Sequence, residues 1–320
     1  MYTCMFEASQ NGGSCFDPLF FHYPTIDDAY KKMTSFVFAN ALYVSPALKP
    51  GAQSVSSFFP AGQWVSMNNF ADVLNVKNDS WIDLPAQNGN SSVNGTVNVH
   101  LMPGKITAWQ NNTDHKVMLA SVMPTNDTLS LVINRDSSKG NSATGSLFLD
   151  LGLERSELEN KEYQHYNVRL EAKTVKFETL NSAALDKYVG LKNVIIPNAA
   201  DLKDTNFACA VDRNHGSIFD LDISFDGNTM TLEKSSSSME LFELRDIHFG
   251  DRTKDLNLCD PATQYYKFKD GKIPDLNVAT VTKTLESLTP SAIRDLKLTL
   301  TILDSGILNI YWTFENMTGI

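Results

Sequence analysis

The sequence predicts a mainly β protein whose antiparallel sheets stack face to face. Short runs with period-two alternation or β-branched residues recur along the 320 residues, and Gly, Asn, Asp and Pro residues separate them. We find no long amphipathic helix. A hydrophobic fraction of 42% supplies enough apolar surface for two domains or one large domain.

Five runs in the first half of the chain are predicted to be strands. A helix is predicted over Asp27–Phe38, where Ala29, Met33, Phe36 and Val37 follow helical spacing. A second, short helix is predicted over Thr289–Arg294, which begins with Thr-Pro. The predicted strands are Val55–Phe59, Val97–Leu101, Met118–Val122, Leu129–Ile133 and Ser146–Leu149.

Two β-hairpins are predicted in the second half of the chain. In the first, Ile218–Phe225 and Met230–Lys234 alternate apolar and polar residues around Asp226-Gly-Asn228, which supplies the positive φ of a tight turn. The second hairpin has its strands at Leu296–Leu303 and Ile307–Phe314, on either side of Asp304-Ser-Gly306.

Charge and hydropathy argue against two kinds of partner. The net charge of -10 repels phosphate backbones, so we expect no nucleic-acid partner. No run approaches the roughly 18 apolar residues of a spanning helix, and the start of the chain lacks the basic flank and apolar run of a signal peptide. We therefore expect no membrane partner and no signal peptide.

The four cysteines form no Cys-x-x-Cys motif and no Cys/His cluster with zinc spacing. We favour buried or free thiols, with one or two disulfides as the alternative. The cysteines are Cys4, Cys15, Cys209 and Cys259.

Several motifs follow one another in a recognisable order between Cys4 and about Phe177. They are Pro18-Leu-Phe-Phe-His-Tyr-Pro24, Ser35–Leu48, Pro50-Gly-Ala52, Phe58–Trp64, Trp81–Pro85, Val97–Gly104 with Trp109-Gln110, and Gly145–Gly152. In this order they resemble the C-terminal part of the family 31 glycoside hydrolases, the α-glucosidase family. The first motif is similar to the end of that family's last barrel strand, and the others to its proximal and distal β-sandwiches. Residues 178–320 carry no comparable motif.

The resemblance implies two tandem antiparallel β-sandwich domains with a short N-terminal remnant of a (β/α)8 barrel. We expect the remnant and its exit segment over residues 1–28 and the proximal sandwich over 29–112. The distal sandwich with an appended β-rich region is expected over 113–320. The chain departs from the family pattern at Asp17, at Met102-Pro-Gly104 and at Asp150-Leu-Gly152.

The resemblance also implies that bond cleavage happens elsewhere. Retaining glycosidases use two carboxyl groups about 5 to 5.5 Å apart, and in this family both belong to Asp residues on earlier barrel strands. We therefore predict no catalytic, cofactor-binding or metal-binding residue in this chain, and no activity of the isolated chain. The implied partners are the missing catalytic barrel, from the same gene or a separate chain, and an α-glucoside carbohydrate. The family resemblance also suggests a secretory or lysosomal compartment.

Three groups of residues are candidate sites. Asp220, Asp222 and Asp226 resemble a calcium loop, but alternation with apolar residues places Asp220 and Asp222 on the solvent side of a strand. His22 lies on the expected final barrel strand, where packing is still the favoured role. A group of aromatic residues could form a carbohydrate surface, although core packing is favoured. These residues are Phe58, Phe59, Trp64, Trp81 and Trp109.

Asn-x-Ser/Thr sequons occur at six positions, close to the four or five expected by chance in a chain this rich in Asn, Ser and Thr. The number of sequons is therefore not evidence that the protein passes through the secretory pathway. The sequons begin at Asn78, Asn90, Asn94, Asn111, Asn126 and Asn316.

Two functional hypotheses follow. The first is a non-catalytic C-terminal portion of an α-glucosidase-like enzyme that hydrolyses O-glycosyl bonds, bracing the barrel and edging its pocket. The second is a free-standing carbohydrate- or protein-binding β-sandwich protein of the same ancestry that has lost the barrel.

Overall fold

The computed structural model describes residues 1–31, 34–86, 97–109, 129–150, 155–183, 190–212, 218–234, 239–240, 244–259, 296–302 and 308–314. Strands dominate these residues, and helices are few. The two α-helices are α1 (Tyr2–Asn11) and α2 (Arg155–Glu159). Short 3-10 turns occupy Leu19–Phe21, Asp27–Tyr30, Ser137–Lys139, Ala200–Leu202 and Leu256–Cys259.

The first part of the fold is a six-stranded antiparallel sheet packed against a two-stranded antiparallel ladder. The sheet has the order β1-β2-β3-β8-β5-β6, and β4 pairs with β7 in the ladder. Side chains of both pack into one core around Tyr43, Phe59 and Trp64, as in a β-sandwich. The strands are β1 (Phe16–Pro18), β2 (Phe36–Phe38), β3 (Leu42–Ser45), β4 (Ser54–Phe59), β5 (Gly62–Ser66), β6 (Val73–Val76), β7 (Ser80–Pro85) and β8 (Asn98–Leu101).

The second part of the fold is a single large sheet, curved so that both of its ends pack on the same core. Its strand order is β16-β15-β20-β13-β12-β11-β9-β10-β14-β18-β17, and β19 pairs with β14. Residues from opposite ends of this order, such as Ala210 and Leu232, belong to one buried cluster, so the two ends face each other. The pairing is antiparallel except between β10 and β14 and between β9 and β11.

The strands of this second sheet begin at residue 105. They are β9 (Lys105–Trp109), β10 (Leu129–Asn134), β11 (Ala143–Leu149), β12 (Gln164–Glu171), β13 (Thr174–Ser182), β14 (Gly190–Ile196), β15 (Phe207–Asp212), β16 (Ile218–Asp220), β17 (Asp222–Asp226), β18 (Thr229–Glu233), β19 (Met239–Glu240) and β20 (Leu244–Gly250). A separate antiparallel pair joins β21 (Leu296–Ile302) to β22 (Leu308–Phe314).

Helix α1 is attached to both the first and the second sheet. The Phe6 ring stacks on Phe148 of β11 with centroids 3.8 Å apart, and the backbone N–H of Phe148 donates to the hydroxyl of Thr3. A disulfide from Cys4 to Cys15 fastens the same helix to the residue preceding β1. α1 is therefore held by both sheets.

The mainly β fold class is confirmed, and both hairpins form. The first strand predicted for the first hairpin, Ile218–Phe225, is divided, because Ile218–Asp220 pairs with β15 as β16 and only β17 pairs with β18. β17 and β18 pair around the turn at Gly227, which has φ +58°, and β21 pairs with β22. Four of the predicted first-half strands correspond to β4, β8, β10 and β11. Residues 118–122 and 289–294 lie outside the described residues.

Two predictions from the sequence were wrong. No helix spans Asp27–Phe38, because Phe36–Phe38 pairs as β2 between β1 and β3, and only Asp27–Tyr30 forms a 3-10 turn. The cysteines are not free thiols, since Cys4 bonds to Cys15 and Cys209 bonds to Cys259.

The barrel remnant stays a prediction. β1 pairs antiparallel with β2, whereas neighbouring strands of a (β/α)8 barrel run parallel.

Within the described residues, no helix is long and apolar enough to cross a membrane.

Candidate functional site

In β1 the apolar residue is exposed and the charged residue beside it is buried, an arrangement that we call inverted exposure. The apolar Phe16 is 56% exposed, whereas the charged Asp17 beside it is only 7% exposed. Side chains of successive strand residues point to opposite faces, so the phenyl ring faces outward and the carboxylate inward. A single exposed apolar side chain is common on protein surfaces, so the burial of the neighbouring carboxylate is the more unusual half of this arrangement.

Phe16 belongs to a set of exposed aromatic residues that we call the N-terminal aromatic surface, made of Phe16, Phe21 and Tyr30. Phe21 and Tyr30 are 63% and 48% exposed. Phe16 lies against Phe38 of β2 with ring centroids 5.0 Å apart, and Tyr30 stacks on Phe20 at 4.6 Å. The exposed rings are thus held in place by neighbouring aromatic side chains.

β1 is also the outermost strand of the first sheet in the described part of the chain. An edge strand presents backbone N–H and C=O groups to any segment that lies beside it. The combination of an open edge with outward apolar rings therefore favours contact with another polypeptide segment.

A cleft of about 570 Å³ extends this surface toward the second sheet. Phe21 and Leu180 of β13 both line it, and Leu180 is 49% exposed. Other parts of its wall are formed by Asp17, by Gly13 two residues after α1, and by His165 of β12.

His22 follows the 3-10 turn Leu19–Phe21 and faces Asp17. The imidazole Nε2 lies 3.3 Å from the Asp17 Oδ2. Burial lowers the pKa of His22 below its usual value, and the hydrogen bond to Asp17 opposes that shift. The contact with His22 gives the Asp17 carboxylate a polar partner on the inward face of β1, while the Phe16 ring lies on the outward face.

A second cavity, of about 690 Å³, lies between α1, the turn at Ala39-Asn40 and strands β9, β11 and β12. Lys105, Thr144 and Arg169 occupy paired positions on three of these strands and so share one sheet face. Burial, together with the positive charge of Lys139, lowers the pKa of Lys105. The lining mixes polar and apolar side chains, and among the described residues it contains no aromatic ring on which a sugar could stack.

The acidic row keeps the position predicted for it. Asp220, Asp222 and Asp226 are all exposed, while Ile223 and Phe225 pack against the buried core. Among the residues that the structure describes, no group of three His, Cys, Asp or Glu side chains is arranged to hold a metal ion.

Most of the aromatic residues of the first sandwich form its core, as predicted. Phe58, Phe59 and Trp64 are at most 1% exposed, and the half-buried Trp109 packs against Phe70 with centroids 5.2 Å apart. Trp81 is the exception: it is 42% exposed opposite Phe58 in the β4–β7 ladder. A single exposed ring is a small platform for carbohydrate.

Sequence reasoning missed the inward position of Asp17 and the edge position of β1. The available signal was Asp17 itself, which replaces the Arg usual before the Pro-Leu-Phe-Phe run, but a single residue does not reveal which face is covered. The burial of Asp17 depends on β2 and His22, which contact it only in the folded protein.

Comparison with known proteins relates part of the chain to a described family. Residues 12–107 match the model of the glycosyl hydrolase family 31 C-terminal domain. A protein of Oryza sativa subsp. japonica named "probable alpha-glucosidase" is 34% identical over 152 residues, which are 48% of this chain and 16% of that protein. An alpha-glucosidase of Hordeum vulgare is 32% identical over 151 residues, with 47% and 16% covered. The chain thus spans about a sixth of the length of these curated relatives.

The fold has solved counterparts. A crystal structure of a glucosidase II alpha subunit superposes with a TM-score of 0.66 over 78% of this chain and 27% of that chain, at 16% sequence identity. At this identity the superposition shows a shared fold.

Proposed function

Because residues 12–107 match the C-terminal domain of glycosyl hydrolase family 31, we propose that the chain braces the catalytic barrel of an α-glucosidase-like enzyme. In this role it is the non-catalytic accessory portion of an enzyme that hydrolyses O-glycosyl bonds. The division into residues 1–28, 29–112 and 113–320 remains part of the proposal. The complete enzyme's substrate would be an α-glucoside.

The observation that carries the proposal is the inverted exposure of Phe16 and Asp17. A strand with a hidden carboxylate and an outward phenyl ring is arranged for a partner on its outer side. The family resemblance supplies the partner's identity, since the barrel in such enzymes precedes the region matched here.

Burial of the N-terminal aromatic surface would stabilise the contact. An aromatic side chain covers roughly 150 to 250 Å², and about half of each ring is exposed here. At about 25 cal/mol per Å², complete burial of each ring contributes about 2 to 3 kcal/mol before the cost of association. The three rings together would contribute about 6 to 9 kcal/mol before that cost, so removing two of them should weaken the contact measurably.

The test is to express the chain together with the barrel-encoding segment found upstream of Met1 in the transcript, or in a separate gene of the same organism. Complex formation is measured by size-exclusion chromatography with light scattering, and activity on an aryl α-glucoside. We expect an active complex that is weakened at least tenfold by the double change Phe16→Ser and Phe21→Ser.

Leu48→Ser is the matched control, because Leu48 is 65% exposed in the turn after β3 and lies outside the N-terminal aromatic surface. The proposal is contradicted if neither source encodes a barrel, or if the barrel binds the double variant as well as the unchanged chain. Either result favours a free-standing binding protein.

A further inference from the structure

The loop between β6 and β7 carries the sequon Asn78-Asp-Ser80. Lys77, Asn78 and Asp79 are exposed, and Ser80 is partly exposed at the start of β7. The other five sequons lie outside the described residues. Asn78 is thus the one sequon asparagine within the described residues.

The loop is held in a defined shape that leaves the Asn78 side chain free. The backbone N–H of Ala61 donates to Asp79 Oδ1 at 2.8 Å, and the Ser80 hydroxyl donates to the Asn78 carbonyl at 2.6 Å. Within the described part of the chain, the side-chain amide of Asn78 makes no hydrogen bond. A bulky group attached to its nitrogen would project into solvent without breaking a contact.

A second, independent observation concerns the compartment. All four cysteines of the chain are paired, as Cys4–Cys15 and Cys209–Cys259. Disulfides of this kind form and persist in oxidising compartments, such as the lumen of the endoplasmic reticulum. N-linked glycans are added to exposed Asn-x-Ser/Thr sites of proteins that enter that pathway.

From these observations we infer that Asn78 is a site of N-linked glycosylation. The glycan donor is an oligosaccharide carried on a lipid diphosphate. The Asn78 amide nitrogen forms a bond to the anomeric carbon, the bond from that carbon to the diphosphate oxygen breaks, and the lipid diphosphate leaves. The nitrogen loses one proton to a base of the transferring enzyme.

The test is to direct the complete chain into the secretory pathway of a eukaryotic host with a cleavable signal peptide. Purified protein is treated with peptide-N-glycosidase in ¹⁸O-labelled water, and proteolytic peptides are mapped by mass spectrometry. We expect Asn78 to be recovered as labelled Asp, and blocked alkylation to confirm that both disulfides have formed.

Variants separate the sequon from the exposure of the loop. Asn78→Gln and Ser80→Ala should each remove one glycan mass, and Ser80→Thr should keep it because the hydroxyl remains. Asn75→Gln is the matched control, since Asn75 is exposed on β6 but belongs to no sequon. An unmodified Asn78 in secreted, disulfide-bonded protein would overturn the inference, as would loss of the glycan on Ser80→Thr.

Discussion

Phe16 and Asp17 are adjacent in β1, yet the phenyl ring is 56% exposed and the carboxylate 7% exposed. An edge strand that packs on a core usually buries its apolar side chains and exposes its charged ones. Asp17 keeps its inward position through His22, 3.3 Å away, and Phe16 keeps its outward position by packing on Phe38. The strand therefore presents a phenyl ring that its neighbours in the described residues cover only in part.

The exposed rings lead to a prediction about self-association. Without a barrel to cover them, the isolated chain should form oligomers at micromolar concentration, because several exposed aromatic rings near the same edge strand promote contact. Phe16→Ser with Phe21→Ser should shift the mass measured by light scattering toward that of the monomer, and Leu48→Ser should not. Oligomers that persist unchanged in the double variant would assign association to a different surface.

The β17–β18 hairpin gives a prediction about stability. Ile223 packs against the buried core, whereas Asp222 is exposed. Ile223→Asp should lower the free energy of unfolding by several kcal/mol because it places a charge against apolar side chains, and Asp222→Asn should change it by no more than about 0.5 kcal/mol. Urea denaturation with and without calcium measures both. A large effect of Asp222→Asn that appears only with calcium would instead make the acidic row a metal site.

The two disulfides should differ in their contribution to stability. Cys209 and Cys259 are separated by 50 residues in sequence, and Cys4 and Cys15 by 11. Loop-closure entropy gives upper values of about 4 and about 3 kcal/mol, respectively. Replacing each pair by Ala and comparing free energies of unfolding tests the order. A larger loss for the Cys4/Cys15 pair would show that anchoring of α1 outweighs the loop length.

Stability should fall in acid because of His100. Burial lowers its pKa to about 4, so the unfolded chain binds a proton between about pH 6.5 and 4 that the folded protein does not bind. The free energy of unfolding therefore decreases as the pH falls through this window, by up to about 3 kcal/mol.

His100→Leu should flatten that part of the stability profile, because the group that titrates is removed. Urea midpoints at several pH values between 4 and 7.5 measure the difference between the two proteins. The same slope in both would show that His100 does not carry the effect and would assign it to other groups.

Local signals predicted the hairpins well. The β17–β18 turn needs only Asp226-Gly-Asn228 between alternating runs, and the structure places φ +58° at Gly227 as that turn requires. Information of this kind lies within about a dozen residues, so the sequence is sufficient to locate such elements.

Features that depend on distant pairing were not predictable in the same way. The Phe-Val-Phe run at residues 36–38 fits a helical pattern, but its position between β1 and β3 makes it a strand. The pairing of Cys209 with Cys259 depends on β15 meeting the 3-10 turn Leu256–Cys259, which no local motif specifies. Likewise, the parallel pairing of β10 with β14 joins segments separated by about sixty residues.

The most direct test of the central claim is a glycosidase assay of the isolated chain on an aryl α-glucoside and on maltose. We expect no turnover above buffer, because the proposed function assigns the nucleophile and the acid that cleave the bond to a barrel outside these residues. Turnover that survives repurification and disappears when one Asp of this chain is changed to Asn would contradict the account.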